Sequence, residues 1–430
     1  MKRKIIDDLI EWKNNKNRMP LLLFGARQVG KTYILNEFGD KYYDNVVYVN
    51  LESNLSVASF FSDDISPERI IKFLEVAFNQ IILPEKTLII LDEIQSCERA
   101  LTSLKYFYEQ LPEYHIAGAG SLLGIAVNRI KYSFPVGKVQ TLTLFPMDFE
   151  EFLMALNEER LIELIQESYK TLIPLPEALH NKAIDLYREY LIVGGMPACV
   201  NEYKNNRKLL MVQNIQSEII RNYVADMAKY ASSSETVKIR SCFQSIPIQL
   251  AKENKKFQYK IVQKGGSSSL FGPSIDWLEQ SGIIIKCQKV LHGINPIFVY
   301  SDLSSFKLYM SDIGLLVQSS GITLSTILTG EANIYMGAIT ENYVAQQLLV
   351  NHKSLYYWTS SYTAEVDFIL QYQGAIYAVE VKKGRNTKSR SLTEFDNKYS
   401  PNYLIRFSEK NFGKSDKIIS LPLYSVFCLK

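Results

Sequence analysis

The sequence predicts an α/β protein of several domains, with a parallel sheet that carries a phosphate-binding loop. Three observations support this prediction. A glycine-rich loop follows the apolar run at 21–24, a second apolar run at 87–91 ends in two carboxylates, and the chain has 430 residues. Buried parallel strands are apolar along their length, and ligands bind at their carboxyl ends. Because so long a chain exceeds one ordinary core, roughly two to four domains are expected.

The loop at 25–32 matches G-x-x-x-x-G-K-[ST] and leads into a helix-like segment, Tyr33 to Phe38. Its backbone N–H groups can converge on phosphate oxygens, and the helix adds the positive end of its dipole. Lys31 is expected to reach the β and γ phosphates of ATP, and the Thr32 hydroxyl to bind Mg²⁺. The alternative is a glycine-rich turn with a solvated lysine. The predicted nucleotide-binding residues are Gly25, Ala26, Arg27, Gln28, Val29, Gly30, Lys31 and Thr32.

The composition is that of a folded protein, with 47% hydrophobic and 22% charged residues. No apolar run approaches the roughly 18 residues that a membrane span requires, and the amino terminus is too polar for a signal peptide. We therefore expect a cytoplasmic protein without a membrane partner. The five cysteines lack C-x-x-C spacing, so neither a disulfide framework nor a zinc site is indicated. The net charge of +3 limits any nucleic-acid surface to a local patch.

The elements before the second apolar run are also predicted by their patterns. Residues 1–18 show the stripe of an amphipathic helix, and 45–50 form a short buried strand. A helix is expected from Ser66 to Ile82, with Ser66 as its N-cap and Pro67 in its first turn.

The second apolar run, 87–91, is followed by Asp92 and Glu93. At the carboxyl end of a parallel strand, Asp92 would hold the magnesium shell. Glu93 is predicted as the catalytic residue that orients and polarises the water attacking the γ phosphate. The alternative is a solvated strand end.

Residues 114–118 predict the next strand, and Ser121 follows it closely. A hydroxyl at this point could sense the γ phosphate, or it could cap a helix, and both interpretations remain open. The runs 134–139 and 144–152 predict a last strand and a proline-marked turn into a helix.

The runs GARQVGKT, LIILDEIQ, AGSLL and FPVGKV with LFPMDFEEFL resemble a large prokaryotic family of AAA-type ATPases. Its members carry a helical and winged-helix middle and a restriction-endonuclease-like C-terminal domain of unknown function. The resemblance covers essentially the whole chain and implies domains at 1–150, 151–325 and 326–430. Relatives often have arginine where this chain has Lys138, and lysine offers phosphate no bidentate fork. Arg129 or an arginine from a neighbouring subunit could serve instead, and the latter would require a homo-oligomer.

The middle of the chain is predicted to be mostly helical from Glu150 to Asp226, with a break at 194–197. The Gly195-Met196-Pro197 turn either lies near the nucleotide base, as in related ATPases, or separates two packed helices. Residues 235–300 suggest a helix-turn-helix with a β wing, its third helix at 274–279 and its wing strands at 283–285 and 298–300. Five lysines precede that third helix and could contact DNA phosphates: Lys252, Lys255, Lys256, Lys260 and Lys264. Protein docking and a structural role are the alternatives.

The last hundred residues predict an αβββαβ order. The helix at 336–350 is followed by strand-like runs at 355–358, 366–370 and 376–382, then by a helix at 391–399 and a strand at 403–405.

Asp367, Glu380 and Lys382 carry the predicted chemistry of this region. Because residues two apart on a strand share a face, Glu380 and Lys382 point the same way. Asp367 and Glu380 could bind Mg²⁺, and Lys382 could orient a water molecule or stabilise the transition state. The pattern resembles the restriction-endonuclease-like superfamily, with Glu341 as its helical glutamate, although no proline precedes Asp367. The alternative is a salt-bridged pair on an alternating strand.

Together these patterns predict an ATP- and Mg²⁺-dependent ATPase whose nucleotide state is coupled to a nuclease-like, DNA-directed C-terminal module. The rival prediction is a nucleotide-regulated switch that binds DNA or a protein partner through an inactive nuclease-like domain. A small-molecule kinase is disfavoured, because Asp92 and Glu93 suit water activation and the large C-terminal half would have no role.

Overall fold

The structure is a computed structural model that describes all residues except 63, 121–133, 332, 352–353, 361–363, 385–389 and 430. It divides into two compact units, each with its own sheet. The N-terminal unit contains Met1–Phe145 with Gln280–Gly282, and the C-terminal unit contains Pro146–Glu279 with Ile283–Lys430. The first limit lies close to the predicted boundary at residue 150, whereas the boundary at 325 stays a prediction.

The N-terminal unit contains five parallel strands in the order β2-β3-β4-β1-β5. This arrangement places β4 between the strand that precedes the glycine-rich loop and the strand that ends in Asp92. The strands are β1 (Leu21–Phe24), β2 (Asn45–Asn50), β3 (Thr87–Asp92), β4 (His115–Ala119) and β5 (Gln140–Thr143). The helices are α1 (Ile5–Asn14), α2 (Lys31–Tyr42), α3 (Leu55–Ala58), α4 (Pro67–Phe78) and α5 (Glu98–Gln110).

Most of the predicted elements of this unit are confirmed, because their apolar patterns match the faces that they bury. Every residue of β3 is buried, and the predicted stripe of α1 is buried at Ile5, Leu9 and Trp12. The helix predicted for 66–82 is shorter and ends at Phe78, where Asn79 adopts a left-handed conformation (φ 50°). Ser66 is the N-cap residue and Pro67 the first residue of the helix, as predicted, but the Ser66 side chain makes no capping hydrogen bond and instead donates to Asp64 Oδ2 (3.0 Å).

His115, the first residue of β4, is buried among aromatic side chains. Its Nδ1 lies 2.6 Å from Tyr43 Oη, and its ring packs edge-on against Trp12. Among the described residues, Nε2 has no hydrogen-bond partner. Burial, followed by the nearby charges of Arg18 and Lys13, lowers the pKa of His115 to about 3.

We expect this histidine to make the N-terminal unit acid-sensitive. Its folded pKa lies below the ordinary value near 6.5, so the unfolded chain takes up the proton first as the pH falls. The stabilising contribution is complete above about pH 6.5 and is lost as the pH falls toward 3. Between pH 7 and pH 5 the free energy of unfolding should fall by about 1–2 kcal/mol, allowing for solvent screening.

The measurement is urea unfolding at both pH values, monitored through the fluorescence of Trp12 in a Trp277→Phe/Trp358→Phe background. His115→Gln should lose this part of the pH dependence, and His292→Gln, which changes an exposed histidine of the other unit, should keep it. Equal pH dependence in wild type and His115→Gln would contradict the assignment.

The C-terminal unit begins with packed helices and ends in an α/β layer. The predicted helix break at 194–197 is present, since α8 ends at Val193 and α9 begins at Pro197. None of the helices that the described residues form is both long enough and apolar enough to cross a bilayer. The helices are α6 (Phe149–Ala155), α7 (Glu159–Thr171), α8 (Glu177–Val193), α9 (Pro197–Asn206), α10 (Leu209–Tyr230), α11 (Ser233–Leu250), α12 (Tyr259–Val262), α13 (Ser268–Gln280), α14 (Ile313–Ser320), α15 (Leu324–Thr329), α16 (Met336–Val350) and α17 (Arg390–Tyr399).

Eight strands form the sheet of this unit, in the order β12-β13-β11-β10-β9-β8-β6-β7. The predicted αβββαβ order is present in α16, β8, β9, β10, α17 and β11, and two further strands follow it. Because β6 pairs with β8, strands from the middle of the chain extend the C-terminal sheet. The strands are β6 (Ile284–Val290), β7 (Ser301–Met310), β8 (Tyr356–Thr359), β9 (Glu365–Tyr372), β10 (Ala375–Val381), β11 (Tyr403–Ser408), β12 (Gly413–Ser415) and β13 (Ile418–Pro422).

Two predictions for the middle region are wrong in position. The second wing strand was expected at 298–300, but Ile297–Tyr300 form a 3₁₀ turn and the strand is β7. The polar start of β7 hid it from the pattern, since only its last six residues are buried. The third helix begins at Ser268, so Pro273 lies inside it and not in its first turn.

Candidate functional site

The glycine-rich loop connects β1 to α2 through backbone conformations that few residues adopt. Gly25 has a φ of 142°, Gln28 of 67° and Gly30, the N-cap of α2, of 97°. A Cβ on Gly25 would lie 2.2 Å from Leu144 O, so only glycine fits there. The loop is therefore shaped as the motif predicted, with its backbone at a helix N-terminus where anions bind.

The loop is braced by a residue that sequence reasoning missed. Arg3 is buried, and its guanidinium donates to Val29 O (3.1 Å) and to Phe145 O (2.7 Å). These bonds connect the loop to the chain that follows β5. No local pattern signals this contact, because the partners lie far away in sequence.

Lys31 is 7% exposed, and its ammonium group donates to Gly25 O and Ala26 O, both at 2.8 Å. Burial lowers the pKa of Lys31 to about 8, against the opposing effect of Glu93 and Asp92. The ammonium group thus lies over its own loop, held by neutral carbonyl groups that are weaker partners than phosphate oxygens.

Asp92 accepts hydrogen bonds from residues in three parts of the chain. Its Oδ2 accepts from Thr32 Oγ1 (2.7 Å) and from Tyr48 Oη (2.9 Å), and its Oδ1 accepts from Glu93 N (3.0 Å). Thr32 and Asp92, which were each predicted to bind Mg²⁺, are thus in direct contact. Tyr48 was missed, although its place on β2, the strand beside β3, was a usable signal.

Glu93 adopts a left-handed conformation, with φ 49° and ψ 41°. This conformation costs about 1–2 kcal/mol for a residue with a Cβ and is typical of functional positions. Gln95 Nε2 donates to Glu93 Oε2 at 2.5 Å and fixes the carboxylate. The negative charge of Glu93 opposes the lowering of the Lys31 pKa.

The other predicted parts of this site are only partly described. Ser121 and Arg129 lie outside the described residues. Lys138 forms an ion pair with Glu109 (3.2 Å) and lies over the ring of Tyr108.

In the C-terminal unit, Glu380 and Lys382 lie on one face as predicted, with Lys382 Nζ 2.6 Å from Glu380 Oε1. Glu380 Oε2 is buried without a hydrogen-bond partner among the described residues. Asp367 Oδ2 accepts a hydrogen bond from Val381 N (2.7 Å). The structure therefore brings Asp367 to the strand that carries Glu380.

A different set of acids is gathered around Asp367. Ligand oxygens of Glu341, Glu365 and Asp367 lie within 4.8 Å of one another, and Glu380 is not in this group of three. Burial and the negative charge of Glu341 raise the pKa of Asp367 to about 7. Sequence reasoning named Glu341 and missed Glu365, although Glu365 lies two residues before Asp367 on the same face of β9.

Two lysines from earlier in the chain enter this acidic group. Lys307 of β7 lies 2.9 Å from Glu341 Oε1 and 2.5 Å from Glu365 Oε1, and Lys255 contacts Glu341 Oε2. Burial alone would raise the pKa of Glu341, but Lys255 and Lys307 outweigh it and lower that pKa. We define Glu341, Glu365, Asp367, Lys255 and Lys307 as the acidic cluster.

A parallel sheet of this order, a glycine-rich loop at a helix N-terminus and a buried aspartate beside it define a P-loop ATPase-like domain. Residues 17–153 match the family model described as an AAA domain. This part of the chain is thus an AAA-type P-loop ATPase-like domain. Residues 184–326 and 336–425 match two domains of unknown function, DUF8612 and DUF4143.

Among curated proteins, uncharacterized proteins of Mycobacterium tuberculosis and Mycobacterium bovis are each 31% identical over 121 residues. The match spans 27% of this chain and 27% of each relative. Among solved structures, a Walker-type ATPase of Pyrococcus abyssi has a TM-score of 0.47 at 15% identity, over 74% of this chain and 95% of that one. The Aeropyrum pernix ORC2 protein has a TM-score of 0.37 at 12% identity, over 78% of this chain and 90% of that one.

Proposed function

We propose that the N-terminal unit binds ATP with Mg²⁺ and hydrolyses it. The observation that carries this proposal is the hydrogen bond between Thr32 and Asp92, which joins the loop to the end of β3 beside a buried Lys31. These are oxygen donors and a cation in the arrangement that P-loop proteins use for a nucleotide and its metal ion.

Each residue has a role in the proposed reaction. Lys31 exchanges its two carbonyl partners for β and γ phosphate oxygens, which are charged and hold the ammonium group more strongly. Thr32 and Asp92 would hold Mg²⁺, which would supply positive charge to the phosphates. Glu93, fixed by Gln95, accepts a proton from the attacking water or orients it.

Removing the ammonium group should weaken nucleotide binding. Lys31→Ala is expected to raise the Kd for Mg²⁺·ATP by about 10- to 100-fold, because a charge-assisted contact contributes about 1.5–3 kcal/mol. Isothermal titration calorimetry measures this Kd. Lys41→Ala, at the exposed far end of α2, is the control and should bind as wild type does. Equal affinities of Lys31→Ala and wild type would refute the proposed site.

We also propose that the nucleotide state controls a DNA-directed C-terminal unit. The support is the αβββαβ order around Asp367 and Glu380, together with the exposed lysines Lys252, Lys260 and Lys264 before α13. Lysines on one surface attract a phosphate backbone without reading its sequence. Lys255, another of the five predicted lysines, instead contacts Glu341.

A further inference from the structure

The carboxylates of the acidic cluster are contacted by a lysine side chain of the protein itself. Lys307 is fully buried, and its ammonium group contacts two of the three clustered carboxylates, Glu341 and Glu365. It also lies over the ring of Tyr357, 4.9 Å from the ring centre. Two of the three carboxylates that lie close enough to share a metal ion are therefore already in contact with a unit positive charge.

Both oxygens of Glu341 are occupied. Oε1 accepts from Lys307 and from Tyr309 Oη (2.5 Å), and Oε2 accepts from Lys255. Mg²⁺ demands near-octahedral oxygen ligands at about 2.0–2.1 Å and gives up its water reluctantly. To bind through Glu341, a metal ion would have to displace these three donors.

The site already contains as many cationic side chains as carboxyl groups. The carboxylates are Glu341, Glu365, Asp367 and Glu380, and the cations are Lys255, Lys307, Lys382 and Arg406, which faces Glu380 in the register of β10 and β11. Glu380 has one oxygen without a described partner, but Lys382 neutralises that carboxylate. A divalent cation would add two positive charges to this largely buried site, and an uncompensated buried charge is costly.

The lysines of the acidic cluster come from a different part of the chain from the acids. Lys255 and Lys307 lie in the region 184–326 that matches one domain of unknown function, and the acids lie in the region 336–425 that matches the other. The acid motif alone suggests a metal site, whereas the folded chain completes it with lysines.

We propose that Lys307 takes the place of a divalent cation in the acidic cluster, so that the C-terminal unit binds DNA without cutting it. The DNA-binding part of this inference rests on the proposed DNA-directed function. The part that concerns Lys307 and the metal ion does not depend on that function. The nuclease-like motif then serves as a structural ion-pair cluster that joins β7 and the segment between α11 and α12 to β9 and α16.

The first test measures Mn²⁺ binding to the full chain without nucleotide, by the electron paramagnetic resonance of free Mn²⁺. Wild type and Asp367→Asn should bind the same number of ions, because the acidic cluster holds none. Lys307→Met should gain one Mn²⁺ site, because a unit positive charge near the carboxylates is removed. The affinity of the cluster for Mn²⁺ should rise at least about tenfold above that in wild type. Lys286→Met is the matched control, since Lys286 pairs with exposed acids outside the cluster.

One Mn²⁺ ion bound by wild type and lost in Asp367→Asn would overturn the proposal, and this comparison does not require Lys307→Met to fold. The second test incubates wild type with plasmid DNA and Mg²⁺. We expect an electrophoretic shift without nicking, and nicking that Asp367→Ala abolishes would also overturn it. Failure to shift DNA in the presence or absence of ATP would instead refute the DNA-directed function and leave the Mn²⁺ result to decide on Lys307.

Discussion

Glu93→Gln should lower the rate of ATP hydrolysis by about 10²- to 10⁴-fold, the contribution typical of a positioned general base. The amide has almost the same size and keeps a hydrogen bond with Gln95, so the loop and Asp92 should keep their geometry. What the substitution removes is the proton acceptor. The loss should therefore fall on kcat, while ATP still binds.

The measurement is steady-state phosphate release together with calorimetric titration of Mg²⁺·ATP, both on the full chain. Glu68→Gln, an exposed acid in the first turn of α4, is the control and should hydrolyse ATP at the wild-type rate. Equal rates for Glu93→Gln and wild type would remove Glu93 from the mechanism. A loss of ATP affinity in place of a loss of kcat would assign Glu93 a binding role.

The geometry of the glycine-rich loop and the position of Asp92 were predictable because their information is local in sequence. The glycines at 25 and 30 and the lysine and threonine that follow fix the loop, and the apolar run at 87–91 places Asp92 at a strand end. The residues that were missed, Arg3 and Tyr48, act through hydrogen bonds to Val29 and Asp92 that no spacing rule contains. Their roles follow only from the folded sheet.

The acidic cluster shows the opposite case. The spacing of Glu380 and Lys382 correctly predicts a shared face, and Asp367 reaches the same strand through Val381 N. The spacing could not reveal Lys307, which lies 58 residues before Glu365 and on a strand with a polar first half. The electrostatic environment of a site depends on such distant partners, which the spacing of the acids alone does not contain.

Gly195→Ala should destabilise the C-terminal unit by about 3 kcal/mol or more, at the upper end of the range for overpacking. A Cβ at this position would lie 1.9 Å from Met147 O and 2.7 Å from Met147 N. Both atoms belong to the backbone, so no side chain can rotate away. The close approach exists because Met147 N donates to Gly195 O (2.7 Å).

The same turn is fixed from its other side by Asp312. Gly195 N donates to Asp312 Oδ2 (2.6 Å), and Leu315 N donates to Asp312 Oδ1 (2.9 Å), so this buried carboxylate caps α14 and holds the turn together. Burial raises the pKa of Asp312 to about 6 despite these donors. Within the C-terminal unit, the turn at Gly195 thus joins α8, α9 and α14, and its predicted role near the nucleotide base stays a prediction.

Urea unfolding, followed by the fluorescence of Trp277 and Trp358 in a Trp12→Phe background, measures this effect in the C-terminal unit alone. Gly337→Ala is the matched control, because a Cβ there meets nothing within 4 Å and the residue lies in the first turn of α16. Alanine is the better helix former by about 0.5–1 kcal/mol, so this control should raise stability. Changes in the free energy of unfolding of opposite sign for the two Gly→Ala variants would show that steric contact at Gly195, and not loss of backbone flexibility, determines the result. Equal unfolding midpoints for Gly195→Ala and wild type would mean that the Met147 backbone can move away.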